Sequence, residues 1–320
     1  LAVSQSGANP WEAAVTTTAE RQCADVVNVT WTVCPGVQLM TSVHAFLQLP
    51  APVAVRITTS SVELAPAGDL ATTSGIGKPS SAYLTVVVDY QDPVTLATTT
   101  ATFSADSRMR LVADAAACGA TSSNELSAVS DATGCAGRAS VGVTAEVDFG
   151  SVTLVSTQLV ATLVRFSSLS LSLSAYPSGP SGVSVLSRVQ CTADTYQRAA
   201  PTVVASVTDG TGAAQTFDVT GESTCGSDDA AVDVTGSGGS TVLAGVSVGT
   251  ATITASFGTA DATQALSVSS SAVDVATLAL TSSKLVLYGL DDEPFDTSVA
   301  LTLADGTSYP DAGALAWLPL

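Results

Sequence analysis

The chain repeats itself, and that constrains its fold more than any single motif. Thr202-Val-Val-Ala-Ser-Val-Thr-Asp-Gly210 returns as Thr297-Ser-Val-Ala-Leu-Thr-Leu-Ala-Asp-Gly306. Val160-Ala-Thr-Leu163 returns as Val275-Ala-Thr-Leu278, and a serine pair follows each, at Ser167-Ser168 and Ser282-Ser283. Pro52-Val-Ala-Val-Arg-Ile57 holds the corresponding place one repeat earlier. A period of roughly 110 residues means modules stacked in tandem, each one supersecondary unit in size.

Within each repeat the apolar residues alternate with polar ones, the period of a half-buried strand. Residues 26–33 alternate in this way, and residues 81–90, 95–103, 138–147, 169–173 and 202–208 read as further strands. Asp209-Gly210 between two such runs signals a hairpin. Gly245-Val-Ser-Val-Gly-Thr-Ala-Thr-Ile-Thr-Ala-Ser-Phe257 reads as a penultimate strand delivered by a glycine turn. Apolar residues make up 46% of the chain but aromatics only 5%, the excess being Ala and Val, so each core must be thin. Two facing sheets of small β-branched side chains meet that demand. The expected class is all-β, in tandem sandwiches. Their expected spans are a partial or divergent β domain at 1–52, full domains at 53–157 and 158–272, and the truncated start of another at 273–320. Links between them are almost nil, which favours an extended rod. No amphipathic helix is expected; residues 114–118 could form one turn.

The formal charge of −18, with lysine only at Lys78 and Lys284, leaves no basic stripe to displace counterions from nucleic acid. It confers solubility and mutual repulsion, or cation binding by acidic loops. No run of about 18 apolar residues exists to span a bilayer. The chain opens and closes in what looks like mid-domain, so we expect a portion of a larger protein, in which a missing leader carries no weight.

Six cysteines occur, at Cys23, Cys34, Cys118, Cys135, Cys191 and Cys225. Several pairings are formally open, but two cysteines per repeat favour the local set Cys23–Cys34, Cys118–Cys135 and Cys191–Cys225. With no Cys-x-x-Cys and a single histidine, His44, disulfides are expected over a metal site, and with them an oxidising compartment. Asn28-Val-Thr30 is a glycosylation acceptor consistent with that setting.

The third and fourth repeats resemble bacterial immunoglobulin-like domains of the group-2 type, found in invasins, intimins and other surface proteins. The resemblance rests on the central strand ending at Asp209-Gly210, on Asp228-Asp-Ala-Ala-Val-Asp-Val234, and above all on Val248-Gly-Thr-Ala-Thr-Ile-Thr254. It covers about two thirds of the chain and implies Ig-like sandwiches in a large surface protein. The tryptophan often seen after the hairpin is missing from the third repeat, although Trp317 lies near that place in the fourth. A disulfide in every repeat is unusual for the bacterial domains. With the composition, it points to a eukaryotic secretory product, algal in character, for which a ciliary mastigoneme component would fit.

No active-site constellation stands out in the sequence. A Ser-His-Asp triad would have to use His44, which lies in an alternating stretch and reads as a strand residue. Asp228-Asp229 and Asp291-Asp-Glu293 could contribute to calcium, which wants six or more oxygens in a shaped loop, but neither has EF-hand spacing. Gly236-Ser-Gly-Gly239 lacks the lysine and helix of a phosphate loop. Paired carboxylates for glycoside cleavage have no implied cleft. Trp11, Trp31 and Trp317 read as core anchors. We therefore expect a non-enzyme without cofactors: a structural segment that assembles with copies or other chains, or alternatively an adhesin recognising a receptor or glycan through its loops.

Overall fold

A computed structural model gives the architecture. It describes residues 2–5, 13–16, 25–44, 50–103, 107–114, 118–122, 124–129, 138–189, 194–212, 214–282 and 297–310. Regular structure among these is β-strand, with three 3-10 turns and no α-helix. The all-β expectation is met. The chain forms two compact units, one of Leu1–Thr59, Leu84–Val112 and Val143–Leu159, the other of Ser60–Tyr83, Ala113–Gly142 and Val160–Leu320.

In the first unit, Ala51–Thr59 runs antiparallel to residues 84–91, which pair on their other side with Thr98–Phe103. Arg56 and Asp89 form an ion pair across the first two strands, and Phe149 meets Tyr90 and Phe103 edge-on, each at 6.1 Å between ring centres. Two hairpins precede these strands, Ala2–Gln5 with Ala13–Thr16 and Asp25–Cys34 with Val37–His44.

The second unit contains a two-layer sandwich. One sheet has the order Arg165–Tyr176, Arg198–Thr208, Val242–Gly245, Val232–Thr235, with Ala214–Asp218 also paired to Arg198–Thr208. The facing sheet has the order Val185–Arg188, Ala260–Ala272, Gly249–Phe257, Thr224–Ser227. Burial follows the sequence alternation. Ala199, Val203, Ala205 and Val207 point inward from one layer and Ala251, Ile253, Ala255 and Phe257 from the other. Leu173, Leu186, Leu243 and Leu266, all fully buried, join them. Gly245 is required where the layers approach, because a Cβ there would lie 2.7 Å from the Cβ of Tyr196.

Among the described residues a three-strand meander occurs three times in chain order. An opening strand pairs with a central strand, which turns at an aspartate into a return strand. The sets are Ala51–Thr59, Ser81–Gln91, Thr98–Phe103; Arg165–Tyr176, Arg198–Thr208, Ala214–Asp218; and Val275–Ser282, Thr297–Leu303, Ser308–Tyr309. Each opening strand breaks register near its start, between Pro52 and Ala54, Phe166 and Ser168, and Val275 and Thr277. The bulge fixes the alignment of the repeats. Phe166 faces Val207 as Val275 faces Leu303, so Asp92, Asp209 and Asp305 occupy one position. Each accepts backbone N–H bonds from its own turn: Asp92 from Val94 and Thr95, Asp209 from Thr211, Asp305 from Thr307. An aspartate that satisfies its own turn in this way is favoured at such tips.

The same alignment corrects one sequence match. Val160-Ala-Thr-Leu163 belongs to the separate strand Leu159–Leu163, which pairs in parallel with Glu63–Leu64. Val275-Ala-Thr-Leu278 lies in an opening strand, equivalent to Arg165–Tyr176. The two tetrapeptides are not structural counterparts.

Candidate functional site: the junctions of the sandwich

Among the described residues no three histidine, cysteine or acidic side chains converge as a metal site would require. Asp228 and Asp229 border a shallow, open depression with Asp233. Their carboxylates are occupied locally. Asp228 accepts from the Thr252 backbone N–H at 2.6 Å, which holds its carboxyl below the ordinary value, and Asp229 accepts from that of Ala231 at 2.8 Å. His44 ends a hairpin strand opposite Asp25, and Asn28 lies opposite Ser42 in the same hairpin. Gly236 takes a left-handed φ of +83° ahead of the 3-10 turn Gly238–Ser240. Trp31 lies on the strand Asp25–Cys34, while Asp291, Glu293, Trp11 and Trp317 lie outside the described residues.

Of the cysteines, Cys118 is buried and disulfide-bonded. Cys34 ends the strand Asp25–Cys34. Cys23, Cys135 and Cys191 lie outside the described residues. Cys225 is a free thiol, and the partner expected for it, Cys191, is among the residues outside those described. Its side chain packs against the inner cluster of the sandwich, and burial pushes the thiol pKa up.

Among the described residues, two groups of polar side chains converge where other segments meet the sandwich. At one end, the stretch 60–79 packs against it. Ala65, Ala71 and Ile76 share a core cluster with Val203, Val207, Val219 and Phe257. Asp69 caps the turn Leu70–Thr72 through the Ala71 N–H, and the same oxygen accepts the Phe166 N–H at 2.9 Å. Leu70 lies over Gly258. Lys78 donates to Glu63 and to Gln215, the latter at 2.8 Å, and lies 5.3 Å from the centre of the Phe217 ring. Gln215 in turn donates to Glu63 at 2.7 Å. The Lys78 bond, then the Gln215 bond, hold the Glu63 carboxyl below its ordinary value.

At the other end the tip of the third meander docks. Gln197 is 4% exposed. It accepts from the Ser187 N–H and donates to Asp305 at 2.6 Å and to the Thr307 hydroxyl at 3.2 Å. Ser308 N–H donates to the Ser178 carbonyl at 2.7 Å, and Ala304 N–H to that of Asp274 at 2.8 Å. Tyr309 is fully buried. Burial and the nearby Asp305 charge raise its pKa to about 12. Burial also pushes the Asp305 carboxyl up, but hydrogen bonds from Gln197 and Thr307 outweigh it and leave the pKa low. Nothing in the sequence marks Gln197 or Lys78 as junction residues; only the Asp-Gly tip carried a signal.

No family model matches the chain, and no curated protein matches it. Among solved structures, surface layer protein SbsC, domains 1-6, is similar at 16% identity and TM-score 0.45, over 86% of this chain and 35% of that one. The S-layer protein rSbsC(31-844) is similar at 16% identity and TM-score 0.45, over 86% and 34%. The S-layer protein SbsC domains 4 and 5 are similar at 17% identity and TM-score 0.38, over 68% and 98%. The chain thus spans about a third of the length of the first two.

Proposed function

We propose that this chain is a structural segment of a large extracellular or cell-surface protein, its β repeats serving as spacers and assembly modules. The observation that carries the reading is the thrice-repeated meander, two copies of which are joined through side chains to segments earlier in the chain. Only Val273 and Asp274 separate the strand Ala260–Ala272 from the next opening strand, too short a link for a loose string. The disulfide at Cys118 supports an oxidising compartment. To this proposal belong the domain limits 1–52, 53–157, 158–272 and 273–320, the Ig-like character of the repeats, a glycan on Asn28, and a filament such as a mastigoneme as the setting. Partners are copies of the chain or other chains of the same assembly.

Electron microscopy of the intact native assembly tests it. Regular polymers with this segment in chain-to-chain contact are expected. Dispersed single particles that bind an immobilised glycan through the sandwich loops would instead make the segment an adhesin.

A further inference from the structure

The two junctions are built from equivalent positions. Counted from the bulge, Gln215 in the second meander corresponds to Thr307 in the third, and Phe217 to Tyr309. At both, the first position forms a polar bond to a segment earlier in the chain: Gln215 with Glu63 and Lys78, Thr307 with Gln197. At both, an aromatic follows two residues on, Phe217 beneath the Lys78 ammonium and Tyr309 completely buried. The earlier segments correspond as well. Glu63 and Ser178 come from the stretch that follows an opening strand, and Lys78 and Gln197 from the residues leading into a central strand.

We propose that the return strand of each of these meanders is a joint strand, whose polar-x-aromatic face recognises the repeat before it. The interaction surface is heterologous, head to tail, and its partner is another repeat of the same kind. This deepens the reading of the chain as an array of spacers: the array is stiff because each joint is keyed by side chains, over and above the shortness of its link. The first meander carries Thr99 and Ala101 at these positions, so it lacks the aromatic half of the key.

The joint is separable from the fold. In the dissolved full-length chain, Gln197→Ala should speed amide hydrogen exchange of residues 297–309 about tenfold, since it removes a bond to a carboxylate. Exchange of the strand Gly249–Phe257 should stay unchanged. Lys78→Met should do the same for the Phe166 amide, which Asp69 holds. Ser170→Ala, on the exposed face of an opening strand, is the control. Unchanged exchange in both joint variants overturns the proposal, as does equal acceleration throughout the sandwich. Thr307→Val, which keeps the shape, serves if Gln197→Ala fails to fold. Exchange is read in solution, so protected joints in a chain that never polymerises would sink the assembly reading alone.

Discussion

Gln197 donates to Asp305 at 2.6 Å, joining the residue that leads into one central strand to the turn that ends the next. Asp305 holds its own turn with one oxygen and meets Gln197 with the other. Asp305→Ala removes both, and leaves a buried amide without its carboxylate. The expected loss is about 1–3 kcal/mol, the range for an unsatisfied buried polar group. Urea unfolding of the full chain followed at the third meander measures it; an unchanged midpoint would remove the turn from the account.

Acid should loosen the opposite junction. The Glu63 carboxyl is held below its ordinary value by Lys78 and Gln215. Its contribution is therefore complete above the unfolded-state pKa of about 4.3–4.5 and is lost as pH falls through the lower, folded-state value. Thermal unfolding between about pH 5 and pH 3 should show a decline that Glu63→Gln flattens. An identical slope in the variant would assign the acid sensitivity to other carboxylates.

Gly258 has a φ of +60°, and a Cβ built on it would lie 2.4 Å from a methyl carbon of Leu70. Gly258→Ala thus meets backbone strain and a clash together. A cost of about 1–3 kcal/mol is expected. Leu70→Ala should relieve part of it, so the double variant loses less than the sum of the singles, as a double-mutant cycle would record.

Cys225 should resist thiol reagents in the folded chain, because it packs against the inner cluster and its pKa is raised. Unfolding without reductant should expose it to maleimide, read by peptide mass. A Cys225 peptide that stays unlabelled and runs joined to Cys191 would reinstate the bridge expected from sequence. Reduction of the bond at Cys118 should lower stability by about 2–4 kcal/mol.

The strands were legible where alternation was strict. Arg198–Thr208 and Gly249–Phe257 bury every second residue, and Asp209-Gly210 ends the first of them as its turn chemistry requires. The register of the repeats was not legible. In a chain rich in Ala, Val and Thr, Val160-Ala-Thr-Leu163 and Val275-Ala-Thr-Leu278 coincide by composition, whereas the true alignment depends on a bulge that has no residue signature here. The junctions were hidden for a different reason. Gln197 and Lys78 are single polar residues in irregular segments, and what they do is decided by Asp305 and Gln215, each about a hundred or more positions away. The acidic pair Asp228-Asp229, which could have contributed to calcium but lacks EF-hand spacing, serves backbone N–H groups in the structure.

The short strand Val185–Arg188 lies parallel to Ala260–Ala272, the strand by which the chain leaves the sandwich. Tension drawn along the exit strand would load the bonds of that parallel pair in shear, so that they share the load instead of peeling open one after another. A sheet order that looks like a topological detail thus sets how the sandwich would answer a pull on its exit strand.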